Sequence, residues 1–202
     1  GSFWCAHVRI GAGKKWDEGG GFFPGLFQRD VRPALSQWAR DLNSTSLRSS
    51  SVGWLTTDNL ERLRQAVPEL CEGRQCTLDS ELEKGCDASW LPEQCRTVAL
   101  AATCLVCAHA TRLFLTGGST FSRLILDLHA GSDLVHRDAA FHSEPRSVAI
   151  SGYVSQMPFG GAQTMVTRLR EQGTELSFTA YPRGTKRANT GGARLRRPHR
   201  RE

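Results

Sequence analysis

A chain of 202 residues can bury one hydrophobic core, or one core with extensions. Apolar residues make up 39% of it, on the low side for a free-standing globule, and the net charge of +6 rests on 22 Arg against only 4 Lys. The two-point grip of guanidinium on carboxylate or phosphate suits a chain set among acidic partners, RNA included, although a GC-rich genome gives the same bias.

Residues 1–30 are rich in Gly and aromatics and predict an extended arm whose Phe22, Phe23, Leu26 and Phe27 dock on another surface. The opening shows neither the basic-then-apolar pattern of a secretory signal nor a myristoylation pattern, which needs Ser or Thr where Cys5 stands. The Gly11–Lys15 run lacks the spacing of a phosphate loop.

Asp30–Leu42 predicts a short helix, with Asp30 as cap, Pro33 in the first turn, and Leu35, Trp38 and Leu42 on one face. Asn43–Ser51 reads as a polar linker. Thr56–Leu70 predicts an amphipathic helix, capped by Thr57 or Asp58, striped with Leu60, Leu63 and Val67, and bent or ended at Pro68. Val98–Ala110 is too short to span a membrane and predicts a buried helix, so any membrane contact is made through partners.

Further on, "TRLFLTGGSTFSRLILDLHAG" predicts two strands around Gly117-Gly118, the second including Leu124–Leu128. "RSVAISGYVS", a helix closed by Gly173, and "TELSFTAYP" predict a strand–helix–strand order over 147–182, which suggests a parallel βαβ unit. The last twenty residues hold Arg183, Lys186, Arg187, Arg194, Arg196, Arg197, Arg200 and Arg201 with almost nothing apolar. They predict a basic tail that contacts RNA or an acidic protein face.

"LVHRDAAFHSEPR" (Leu134–Arg146) gathers His, acids and Arg. His136-Arg137-Asp138 resembles the catalytic loop of protein kinases, but the later Asn, the Gly-rich loop and the Asp-Phe-Gly are missing. Residues 122–146 resemble the strand pair of galectins, with His142, Glu144 and Arg146 in the sugar-contact positions. Glu144 replaces that family's Asn, and no Trp follows Trp90. The segment is read as a polar loop. Asp127, His129, Asp133, His136 and Asp138 could form an acid–base or metal cluster, and are read as solvated instead.

Six of seven cysteines fall between 71 and 107. Cys104 and Cys107 with His109, joined by Cys71 and Cys76, could ligate zinc; Cys104-x-x-Cys107 could be a redox pair; or the thiols are small buried hydrophobes. Cys76 and Cys86 enclose nine residues, a loop with Pro92 follows, and Cys95 opens a second helix. This resembles the twin Cys-x9-Cys helical hairpins of the CHCH family, found in proteins of the mitochondrial intermembrane space. The resemblance implies an antiparallel helix pair, with Cys86 facing Cys95 and Cys76 opposite Cys104 or Cys107.

The expected fold is α+β: an aromatic arm (1–30), a helical region with the cysteine hairpin (31–110), a small α/β unit (111–182) and a basic tail (183–202). The expected function is a non-catalytic accessory subunit of a large mitochondrial assembly, a respiratory-chain complex or a mitochondrial ribosome. Its partners are other subunits and, through the tail, RNA; no metal or cofactor is expected. The alternatives are a basic nucleic-acid-binding module and a galectin-like carbohydrate binder.

Overall fold

The stretch FWCAHV combines aromatic and apolar residues and forms strand β1 (Phe3–Val8), buried from Trp4 onward. Burial on both faces is the mark of a central strand in a parallel sheet, where apolar residues run on without alternating. In the computed structural model, β1 lies at the centre of a six-stranded sheet of order β3-β2-β1-β4-β5-β6, with every neighbouring pair parallel. Residues 3–11, 25–44, 52–70, 76–78, 85–86, 89–131, 146–151 and 162–179 are described.

The other strands are β2 (Val52–Thr57), β3 (Cys76–Leu78), β4 (Arg112–Thr116), β5 (Ser147–Ser151) and β6 (Glu175–Thr179). Helices α1 (Arg32–Ser44), α2 (Leu60–Ala66), α3 (Pro92–Ala108), α4 (Thr120–Gly131) and α5 (Ala162–Glu171) lie between them in sequence. One π turn, Phe27–Val31, leads into α1, and a 3-10 turn, Pro68–Leu70, follows α2.

The two faces of the sheet carry separate cores. Trp4, Ala6 and Val8 of β1 and Phe114 of β4 meet Phe27, Leu35, Ala39 and Leu42 from α1 and its lead-in, and Leu63 of α2. Cys5, Leu113, Leu115, Val148 and Ile150 meet Cys104 and Cys107 of α3, Ile125, Leu126 and Ala130 of α4, and Leu169 of α5. Gly53 of β2 has a steric reason: a Cβ there would overlap the Trp4 ring.

The mixed helix-and-strand class is as expected, with several differences in detail. Residues 3–8 are a buried central strand, not part of a docking arm, and Leu26 and Phe27 pack into this chain's own core. Cys76–Leu78 is a strand paired to β2, so the first helix of the cysteine hairpin is absent there. Of the thiol pairing expected with it, Cys86–Cys95 is present, whereas Cys107 is bonded to Cys5 and Cys104 is a buried free thiol. Residues 120–131 are a helix rather than a second strand, because Ser122, Ile125, Leu126, His129 and Ala130 line one helical side and are buried. Within the expected helix Thr56–Leu70, Thr56 and Thr57 end β2, Asn59 caps α2 through its side-chain oxygen, and Val67-Pro68 closes it. The sheet draws strands from both sides of position 110, since β1 pairs with β4. The basic tail from Arg183 and the segment Leu134–Pro145 lie outside the described residues.

Candidate functional site at the carboxyl edge of the sheet

The sheet order reverses between β1 and β4. From β1 the chain moves outward to β2 and β3, then crosses back to β4 on the other side of β1. At such a switch the loops leaving the two strands diverge to opposite faces, and ligands of open α/β sheets bind in the crevice between them. Here those loops begin with Arg9-Ile10-Gly11 after β1 and Gly117-Gly118-Ser119 after β4.

Both loops are held in place. Thr116 Oγ1 accepts the Arg9 N–H at 3.0 Å and donates to the His7 carbonyl at 3.2 Å, tying the ends of β4 and β1 together. Asp58, just past β2, accepts the N–H of Ile10 at 2.7 Å and of Gly11 at 2.8 Å, and lies 3.5 Å from the Arg9 guanidinium. Gly11 has φ 91° and Gly118 has φ 79°, a region where a Cβ is strained, so both turns depend on glycine.

Ser119 opens α4 as its cap, its Oγ accepting the Ser122 N–H at 3.5 Å. The α4 N-terminus, with its positive dipole end, therefore lies on the carboxyl edge next to β1. His7 steadies this turn from below. It is buried, Nδ1 is 2.6 Å from Ser122 Oγ, and its ring lies 4.9 Å from Phe121. Burial, and secondarily the Arg9 charge, lowers its pKa to about 3, so the imidazole is neutral at physiological pH. One cation, Arg9, half-buried beside a helix N-terminus and two glycine turns, suits an anion of phosphate type.

The residues singled out by sequence lie elsewhere. Cys86 and Cys95 form a disulfide with Cα atoms 5.9 Å apart, clipping the turn before α3 to its first turn. Cys107 is bonded to Cys5 across 102 positions, which removes it from any zinc or redox pair with Cys104. The Cys104 thiol is raised to about 11 by burial and is held as the unreactive form. Asp127 pairs with Arg123 at 2.9 Å, and His129 is buried with Nδ1 2.7 Å from the Ala108 carbonyl; Asp133, His136 and Asp138 of the expected cluster lie outside the described residues. Arg146 stands before β5, at the opposite edge, its pKa lowered by burial. Among the described residues no group of His, Cys, Asp and Glu could hold a metal, and no helix is long and apolar enough to cross a membrane.

Sequence reasoning missed His7, Arg9, Asp58, Thr116 and Ser119. The usable signal was "LFLTGGSTF": an apolar run, two glycines and a capping Ser before a helix. Comparison with protein-family models, with curated proteins and with solved structures gives no match.

Proposed function

We propose that the chain binds the phosphates of a nucleotide at this edge, as a nucleoside diphosphate or a donor activated by one. The carrying observation is that the 3-2-1-4-5-6 order puts Arg9 and the glycine-led start of α4 side by side at the switch point. Two familiar nucleotide classes fit poorly. The loop after β1 reads Gly11-Ala-Gly13-Lys-Lys-Trp16, without the third glycine of a dinucleotide fingerprint. The Ile10 and Gly11 N–H groups, which such a fold would turn to the pyrophosphate, are taken by Asp58. Nor is there a Gly-x-x-x-x-Gly-Lys-Ser/Thr loop for a nucleoside triphosphatase. The anion is thus assigned to the β4–α4 turn and Arg9.

Two disulfides among the described residues support residence in an oxidising compartment, the secretory pathway or the intermembrane space expected from the cysteine pattern. Calorimetric titration of the full chain with GDP, UDP and ADP tests the reading. At least one should bind with competition by pyrophosphate, and Arg9→Ala should weaken it roughly tenfold or more through the lost charge-assisted contact. Folded protein that ignores all three at millimolar concentration would sink it.

A second reading, an accessory subunit of a larger assembly, has one observation in its favour. An exposed apolar line runs along α3: Leu91 at its cap, Val98 and Leu105, spaced by seven, are 64%, 47% and 56% exposed, and Leu124 of α4 is 48% exposed. Such a stripe without charge is the composition of a contact surface.

A further inference from the structure

We propose that Asn43 carries an N-linked glycan; the assignment rests on the oxidising-compartment reading above, taken as the secretory pathway, and is independent of nucleotide binding. Asn43-Ser44-Thr45 is an Asn-x-Thr acceptor with no Pro at its middle position. The chain has three Asn, and neither Asn59-Leu60-Glu61 nor Asn189-Thr190-Gly191 has the acceptor pattern, so a single glycan is expected.

The fold places this acceptor at a helix end, away from the phosphate site. α1 closes at Ser44, so Asn43 stands in its last turn. Leu42 enters the core, while Arg40 and Asp41 before it are exposed. The last carbonyls of a helix lack partners within it, and Asn and Ser compete with the helical backbone, so this turn is weakly committed to helix. β1 and β2 are parallel, with Phe3 opposite Val52. The helix between them therefore starts at the carboxyl edge and returns the chain to the amino edge. Arg40, near that end, lies 3.9 Å from Glu69, which stands in the same way before the next parallel strand, β3. A bulky, solvated glycan there leaves the crevice between β1 and β4 clear.

The chemistry is a group transfer without change of oxidation state. The Asn43 amide nitrogen bonds to C1 of an oligosaccharide carried on a lipid pyrophosphate. The C1–O bond to the pyrophosphate breaks, the lipid pyrophosphate leaves, and the amide proton passes to the transferase. The lumen of the endoplasmic reticulum supplies that donor and also forms disulfides, a condition that Cys5–Cys107 and Cys86–Cys95 meet. The mitochondrial intermembrane space oxidises thiols but holds no such donor, so the glycan decides between the two compartments.

The full chain should be recovered from its own cells, and from cells in which a secretory signal directs it to the endoplasmic reticulum. From both sources, peptide-N-glycosidase should lower its mass by one glycan and deamidate Asn43, read by peptide mass spectrometry. Asn43→Gln and Thr45→Ala should lose the shift, and Thr45→Ser should keep it, which ties the effect to the hydroxyl. Transfer precedes folding, so a variant that misfolds still reports. A directed chain without a glycan on Asn43 would overturn the assignment. So would an unmodified chain from its own cells, which would place the protein outside the secretory pathway. Diphosphate affinity should be the same before and after the glycan is removed, and a change would overturn its placement away from the crevice. If no nucleoside diphosphate binds at all, the phosphate reading fails and the glycan assignment stands.

Discussion

The Asp58 carboxylate receives the Ile10 backbone N–H at 2.7 Å, so the loop leaving the central strand is shaped by a side chain just past the end of the next strand over. Through its second oxygen the same group holds Gly11. Asp58→Asn turns one of these two acceptors into a donor aimed at another N–H. A hydrogen bond to a charged group is worth about 1.5–3 kcal/mol, and the variant should lose that much stability, seen as a lower urea midpoint at unchanged slope. It should also weaken nucleotide binding, since Arg9 loses its tether. A midpoint within error of the parent would show that the loop holds its shape without Asp58.

His7 gives a pH signature with a definite sign. Its folded pKa is near 3, below the ordinary 6.5, so the unfolded chain binds the extra proton first as pH falls. Stability from this residue is complete above pH 6.5 and declines between 6.5 and 3. His7→Gln keeps a polar group near Ser122 without the titration. Unfolding free energies across that window should fall less steeply for the variant, by a few kcal/mol at the acid end. Parallel curves would mean that the imidazole is not buried as a neutral group.

The two disulfides among the described residues should differ in worth. Cys5–Cys107 closes 102 positions and Cys86–Cys95 only 9. Loop entropy in the unfolded chain gives about 5 kcal/mol for the first and about 3 kcal/mol for the second. Paired Cys→Ala variants, compared by urea unfolding, should rank in that order. The long link also joins β1 to α3 in the core, so its loss should disturb the carboxyl edge more. Equal effects would contradict the ranking.

Much of the helical content is written in spacing. Leu35, Trp38 and Leu42 mark α1, and Leu60, Leu63 and Val67 mark α2 with Pro68 as its stop. The strands fared unevenly. β4 and β5 read as strands, but β1 is buried on both faces and has no alternation to betray it. β3 is three residues long, too short for any period. In α4 the run Leu124-Ile125-Leu126 imitates a strand, while the pattern that decides is Ile125, Leu126, His129 and Ala130. The site was illegible for a different reason. It is assembled where strands from residues 3, 52, 112 and 147 end together, and no local motif records a sheet order. The cysteines were half legible: Cys86 pairs with Cys95 across the Pro92 loop as proximity suggests, but Cys107 has four others between 71 and 95, yet its partner is Cys5.

That partner has a consequence for how the chain is made. β1 lies at the centre of the sheet, but β4 and Thr111, which bonds the Phe3 backbone, follow it by more than a hundred residues. Contacts so distant slow folding, because the connecting chain must be closed before they repay it. Cys71, Cys76, Cys86 and Cys95 all lie between Cys5 and Cys107 in sequence. Early oxidation therefore favours mispaired bonds, and the native bond forms by thiol–disulfide exchange once α3 has been made. Oxidative refolding of the reduced chain should therefore be faster with a disulfide isomerase present, and fragments ending before Cys107 carry Cys5 without the partner it has in the fold.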